Sequence, residues 1–135
     1  MRDQPLPITI LIGIMCAYRL VFSALGYAEP MWLMEYFGCP VATNLQMPYM
    51  IRGWAIRDIL LSVLVISSRG SIVKTLLWAC IAVDATDVLS ALLSGAAGFF
   101  NTANTWSLTF SAVAALVPEI AALALMYRRQ LLETT

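Results

Sequence analysis

Charged residues lie inside runs that are long and apolar enough to cross a lipid bilayer, and this combination limits the possible folds most strongly. Four apolar runs cover residues 8–28, 49–68, 72–94 and 106–127. A helix of about 20 residues spans a hydrocarbon core of about 30 Å. The sequence therefore predicts an all-α membrane protein with one domain over residues 1–135, built as a bundle of four transmembrane helices.

Composition supports a membrane protein and argues against several functional classes. The 135 residues are 61% hydrophobic and 12% charged, whereas soluble domains average about 50% and about 25%. The formal net charge is zero, so nothing indicates a nucleic-acid partner. The chain has no histidine, the commonest metal ligand and general base. We therefore predict neither a metal site nor a cofactor.

Basic residues predict how the chain is oriented in the membrane. They are concentrated near the two termini and in the connection between the second and third runs: Arg2, Arg69, Lys74, Arg128 and Arg129. The connections on the other side carry none, unless Arg52 at the edge of the second run is counted. The positive-inside rule then places both termini in the cytoplasm. In a eukaryotic cell, the expected membrane is that of the endoplasmic reticulum.

The charged residues within the runs lie at similar depths. The second run carries Arg52, Arg57 and Asp58, and a charge at the centre of a membrane helix costs roughly 2.5–3.5 kcal/mol on insertion scales. The other runs offer partners near their own centres: Arg19, Asp84, Asp87 and Glu119. Most of these residues fall roughly 8–13 positions into their runs, within a turn or two of the membrane midplane. We therefore predict a polar, ionisable core.

Three arginines and four acids make up this set, so at least one carboxyl group is expected to hold a proton. Asp84 and Asp87 are three residues apart and project from one face of a helix. A protonated and an ionised carboxyl group together supply the donor and the acceptor of acid–base catalysis. Buried ion pairs can instead set the helix register without any chemistry. Ionisable residues inside a membrane are nevertheless functional candidates by default.

The connection over residues 29–48 is long and rich in aromatic residues. Aromatic side chains favour the headgroup level of a membrane, so this segment is predicted to lie at the interface. Glu29 at its start either lines an entrance to the polar core or is a solvated acid of the loop.

Short motifs along the chain resemble those of a known family. They are Glu29-Pro30, Phe37-Gly38-x-Pro40, Gly53-x-x-x-Arg57-Asp58 and Asp84 in the third run. This set resembles the DoxX-like group of small four-helix membrane proteins, in particular its uncharacterised branch with a Phe-Gly-x-Pro loop before an Arg-Asp helix. Proteins of this kind are similar to the membrane-bound epoxide hydrolases of fungal polyketide pathways.

The resemblance implies an enzyme of secondary metabolism that opens an epoxide on a lipophilic metabolite, by hydrolysis or by cyclisation. Without a metal, a carboxylate deprotonates water and an acid protonates the leaving oxygen. On this interpretation Asp58 or Asp84 is the base, a protonated Asp87 is the acid, and Arg57 holds them in position. The other charged groups would support these residues or contact the substrate: Arg19, Glu119, Arg52 and Glu29.

Two other functions remain open at this stage. The chain could be a non-catalytic accessory subunit whose charges pair with one another or with a partner's helices. It could also be a small transporter or proton path, although no inverted repeat with Gly/Pro-broken helices is visible. The expected partners are a lipophilic small molecule and the bilayer itself. A homo-oligomer is possible, and the identity of the substrate is left open.

Overall fold

A computed structural model describes residues 4–38 and 45–133, and over these residues all the regular secondary structure is α-helical. The helices are α1 (Leu6–Ala28), α2 (Pro30–Tyr36), α3 (Met47–Ser67), α4 (Ser71–Ala96) and α5 (Thr102–Glu133). The prediction of an all-α protein is confirmed for this part of the chain. Its helices number five because the first connection contains a short helix of its own. Pro40 of the Phe-Gly-x-Pro motif lies outside the described residues.

Three of the helices are long and apolar enough to cross a membrane. They are α1, α4 and the Thr102–Leu132 part of α5, with mean hydropathies of 2.0, 1.8 and 2.0. The prediction of a multi-pass membrane protein rests on these three. Helix α3 has 21 residues but carries three charged side chains. A fourth crossing over α3 therefore stays a prediction.

Proline separates α1 from α2 within the first connection. The residue before a proline is disfavoured in helical geometry, and Glu29 accordingly adopts φ −127° and ψ 63°. Pro30 then occupies the first turn of α2, where its missing N–H costs nothing. Leu33 and Met34 of this short helix are buried against the rest of the protein. The predicted interfacial segment thus folds back as a helix over one end of the bundle.

The long helices do not pack equally against one another. Helix α1 packs against both α3 and α5, and α4 packs chiefly against α5. At the end of α4, a Cβ on Gly95 would collide with the Thr105 side chain, so the two backbones approach closely there. Helices α3 and α4 follow each other in sequence, yet their backbones lie close together over a much shorter stretch than those of α4 and α5. A gap therefore separates α3 from α4 along part of their length.

The end of the bundle near the chain termini has a dense apolar core. Lys74 Nζ donates a hydrogen bond to Gln130 Oε1 at 2.5 Å, so the start of α4 lies beside the end of α5. The apolar side chains that fill this end are Ile8, Ile12, Met15, Cys16, Val65, Val73, Leu77, Cys80, Ala122, Leu123 and Met126. We call this part of the molecule the closed half.

Candidate functional site

Arg19 of α1 is the centre of the buried charges. Its side chain is 1% exposed, and it reaches three other helices. Nη1 lies 3.0 Å from Asp58 Oδ1 on α3, and Nη2 lies 2.7 Å from Asp84 Oδ1 on α4. Nε and Nη2 also donate hydrogen bonds to Glu119 Oε1 on α5, at 3.1 and 2.9 Å. One guanidinium group therefore joins α1, α3, α4 and α5.

Arg57 extends this arrangement towards the gap between α3 and α4. Its Nε donates to Asp58 Oδ1 at 3.0 Å, the same oxygen that faces Arg19. Its Nη1 and Nη2 donate to Asp87 Oδ1 and Oδ2 at 3.3 and 2.7 Å. The Arg57 and Asp87 side chains are 35% and 30% exposed. We call the connected set the ionic network: Arg19, Arg57, Asp58, Asp84, Asp87 and Glu119.

Two arginines and four acids do not balance, so full ionisation would leave two excess negative charges in the ionic network. An uncompensated charge in a protein interior costs roughly several kcal/mol, even after the surrounding protein has relaxed. Asp84 Oδ2 and Glu119 Oε2 are buried and have no hydrogen-bond partner within the described residues. Asp87, in contrast, accepts both of its hydrogen bonds from a guanidinium group. A neutral network needs two protons, and these two buried oxygens could each carry one.

A cavity of about 280 Å³ lies above the ionic network, on the side away from the closed half. Four members of the network form its floor: Arg19, Asp58, Asp84 and Asp87. Small-molecule sites typically have volumes of about 300–1,000 Å³, so this cavity suits a small or slender ligand. We call this part of the molecule the hollow half. The long helices diverge around the cavity, whereas the same helices pack against one another in the closed half.

The walls of the cavity differ in chemistry. The side formed by α2 and α3 is apolar and includes Leu33, Met34, Met47, Ile51 and Trp54. The side formed by α1, α4 and α5 carries hydroxyl groups, on Tyr18, Ser90, Ser94 and Ser111. The Tyr18 hydroxyl lies 2.9 Å from Ser111 Oγ and donates to the Ser111 carbonyl oxygen at 3.1 Å. Ser90 and Ser94 have no such partner within the part of the chain that the structure describes.

Six of the eight charged residues singled out from the sequence lie together in the ionic network, and two lie elsewhere. The Arg52 side chain is exposed and donates from Nε to the Tyr27 carbonyl oxygen at 3.2 Å. Glu29 is exposed at the junction of α1 and α2. Arg52 precedes Asp58 by six residues, and helical periodicity turns it to a different face of α3. Depth along a helix is therefore not sufficient to predict which charges meet.

The hydroxyl groups of the cavity wall were not among the residues predicted from the sequence. Ser90 and Ser94 follow Asp87 at spacings of three and seven residues, so all three lie on one face of α4. That spacing was a usable signal for the two serines. Tyr18 and Ser111 meet across helices that are distant in sequence, and no local pattern indicates their contact.

The comparison with protein-family models finds no match, and the comparisons with curated proteins and with solved structures find none either. The resemblance to the DoxX-like group therefore stays a prediction. Among the described residues, no group of three or more Cys, Asp or Glu side chains is arranged to hold a metal ion. The ionic network and the cavity are therefore the features that indicate the chemistry of the site.

Proposed function

We propose that this protein is a membrane-embedded enzyme that opens an epoxide on a lipophilic metabolite. The observation that carries the proposal is the floor of the cavity, where Asp58, Asp84, Asp87 and Arg19 face a space with a largely apolar lining. Proton donors and acceptors in a water-poor pocket are what metal-free epoxide opening requires. The resemblance to membrane-bound epoxide hydrolases supports the choice of reaction.

The proposed architecture is a bundle of four crossing helices with the ionic network as its polar core. Helix α3 has 21 residues, enough for about 31 Å at 1.5 Å per residue. Two of its three charged residues, Arg57 and Asp58, have partners within the bundle. Arg52 lies near the end of α3 and can reach the headgroup level. The basic residues then orient both termini to the cytoplasm, in the endoplasmic reticulum of a eukaryotic cell.

The geometry favours Asp58 as the base and Asp84 as the acid. Within the described residues, the Asp58 carboxylate contacts Arg19 and Arg57 through Oδ1, which leaves Oδ2 to accept a proton from water. Asp84 Oδ1 faces Arg19, while Oδ2 is unpaired and suited to hold the proton to be donated. Both carboxyl oxygens of Asp87, the acid proposed from the sequence, accept hydrogen bonds from Arg57, which makes Asp87 a less suitable proton donor than Asp84 in this proposal. The role of Asp87 is then to anchor Arg57.

The proposed reaction adds one water molecule across the epoxide. Asp58 takes a proton from water while the water oxygen forms a bond to an epoxide carbon. The bond between that carbon and the epoxide oxygen breaks, and the oxygen receives the proton of Asp84. The product is a vicinal diol, and a proton passes from Asp58 back to Asp84 to restore the site. If a hydroxyl group of the substrate replaces water, the same steps give a cyclic ether.

Arg19 and Glu119 act on this site through position and charge. Glu119 is 0% exposed and does not line the cavity, so it does not touch a ligand there. It accepts two hydrogen bonds from Arg19, which in turn contacts Asp58 and Asp84. Glu119 thereby fixes the guanidinium plane that separates the proposed base from the proposed acid.

The experiment is turnover of an epoxide-bearing polyene in membranes that contain the full chain. Asp58→Asn and Asp84→Asn should each lose at least a hundredfold in rate, since general acid–base catalysis contributes about 10²–10⁴-fold. The matched control is Glu35→Gln, an exposed acid on α2 that should turn over normally. The proposal is wrong if the wild-type protein consumes no epoxide, or if both Asn variants retain full activity while Glu35→Gln behaves as expected.

One observation favours a second function, that of a non-catalytic accessory subunit. The ionic network ties four helices together, and Glu119 contributes to it without reaching the cavity. On this alternative, Asp84→Asn would primarily destabilise the fold, because breaking a buried pair typically costs about 3–5 kcal/mol. Thermal unfolding of purified Asp84→Asn separates the two: an intact fold without turnover supports the enzyme. The apolar core of the closed half does not favour a transport path, because it fills the space below the network.

A further inference from the structure

We propose that the cavity recognises a two-faced ligand, an apolar chain that carries hydrogen-bonding oxygens along one edge. This deepens the proposed function, since it names the substrate class of the same site. The ligand's oxygens would meet Ser90 and Ser94 on α4, and its apolar edge would lie against α2 and α3. Such a molecule is a partly oxygenated hydrocarbon rather than a plain terpene or fatty chain.

Among the residues that the structure describes, the hydroxyl groups of these two serines have no hydrogen-bond partner. Several other hydroxyl groups of the bundle bond back to their own helix: Ser67 Oγ, Thr86 Oγ1, Thr105 Oγ1 and Thr109 Oγ1 each donate to a backbone carbonyl oxygen. Within the described residues, Ser90 and Ser94 make no hydrogen bond of this kind. Both line the cavity, so their hydroxyl groups are available to a ligand.

Among the described residues, the opposite wall offers few hydrogen-bond donors: of its lining side chains, only Trp54 carries one, its indole N–H. Leu33 and Met34 of α2 and Ile51 of α3 present only aliphatic or thioether groups to the cavity, and Trp54 adds a large ring. A ligand with oxygens on every side would leave some of them unpaired against this wall, at a cost of about 1–3 kcal/mol each. The cavity thus selects for polarity on one edge only.

The rise of α4 gives the spacing of the expected oxygens. Ser90 and Ser94 follow Asp84 by six and ten residues, about 9 Å and about 15 Å along the helix axis. If the epoxide lies at Asp84, the ligand should carry oxygen functions at about these distances from it. Asp87 lies between the epoxide and the first serine on the same face. Helix α4 therefore places polar groups at successive heights from the floor of the cavity upward.

The test compares the binding of two unreactive probes to the full-length protein in detergent. One probe is a long-chain alcohol, and the other is the diol of the same chain with its second hydroxyl about 9 Å from the first. Trp54 lines the cavity, so a change in the intensity or wavelength of its fluorescence reports binding, and Trp54→Phe identifies that signal. The wild-type protein should bind the diol about fivefold tighter than the alcohol, the factor expected for one neutral hydrogen bond.

The double variant Ser90→Ala/Ser94→Ala should bind both probes equally. Because both proteins are measured in the same detergent, a preference that only the wild-type protein shows does not come from how the probes partition into detergent. The matched control is Ser67→Ala, which removes an exposed hydroxyl that is already bonded to its own helix and should keep the preference. The inference is overturned by equal binding in the wild-type protein, by a preference that survives in the double variant, or by the absence of a Trp54-dependent signal.

These outcomes are distinct from failure of the proposed function. Diol preference without epoxide turnover would leave the recognition surface standing and remove the reaction. Epoxide turnover without diol preference would keep the reaction and remove the two serines from recognition. The two experiments therefore test separate statements about one cavity.

Discussion

The closed half and the hollow half are built from the same four long helices, yet only the hollow half contains a cavity. In the closed half, large side chains from every helix meet, and Ile12, Met15, Val65 and Leu77 are 0% exposed. In the hollow half, α3 and α4 stand apart, and α2 folds over the space between the helices. The ionic network lies at the boundary. The packed core of the closed half can fix the positions of the helices, so the hollow half does not need close packing to hold them.

The largest expected effect is at the boundary between the halves. Arg19→Leu removes the only cation that contacts Asp58, Asp84 and Glu119 together among the described residues. Breaking a buried ionic arrangement typically costs about 3–5 kcal/mol, and the remaining acids would repel one another. We expect little monodisperse protein after purification in detergent, as measured by size-exclusion chromatography. Arg52→Gln is the matched control because Arg52 is exposed and bonds only to a carbonyl oxygen.

A folded, stable Arg19→Leu variant would show that the two halves hold their positions without the ionic network. In that case the apolar core of the closed half would be sufficient for the fold.

A pair of leucines tests the difference in packing directly. Leu77 is 0% exposed in the closed half, whereas Leu108 is half-buried and lines the cavity. Leu77→Ala should reduce the free energy of unfolding by about 2–5 kcal/mol, because it leaves a cavity in a filled core. Leu108→Ala should cost clearly less, since it enlarges an existing space. Equal losses in a denaturant titration would contradict the assignment of the two halves.

The smallest expected effect on stability comes from a pair of alanines. Ala122 is 0% exposed in the closed half, and Ala112 lines the cavity. Ala122→Phe should destabilise by about 1–3 kcal/mol because the core has no room for a ring. Ala112→Phe should leave the melting temperature nearly unchanged while it blocks ligand binding and epoxide turnover. An Ala112→Phe variant that still binds the diol probe would show that ligands occupy another site.

Helix positions and the depth of the charges were predictable from the sequence. The long apolar runs match α1, α4 and α5, and counting along antiparallel helices brought Arg19, Asp84 and Glu119 to one level. Both predictions depend on the fixed rise of a helix, which is a local property. The six residues of the ionic network were all among the candidates on this basis.

The faces of the helices and the cavity were not predictable in the same way. Arg52 shares a helix with Arg57 but points elsewhere, because the rotation of a helix within a bundle is set by its neighbours and not by its own apolarity. Helix α2 was expected only as an interfacial segment, since seven residues give little periodicity. The cavity depends on the gap between α3 and α4, which is a property of tertiary packing alone.

The two arginines of the ionic network share a single atom, Asp58 Oδ1. Within the described residues, this oxygen is the direct contact between the half-buried Arg57 and the buried Arg19. A polar group that displaces Asp87 from Arg57 would let this guanidinium bind Asp58 more tightly and withdraw electron density from its carboxylate. The half-buried Arg57 is thus linked through this one oxygen to Arg19, and through Arg19 to the fully buried Glu119.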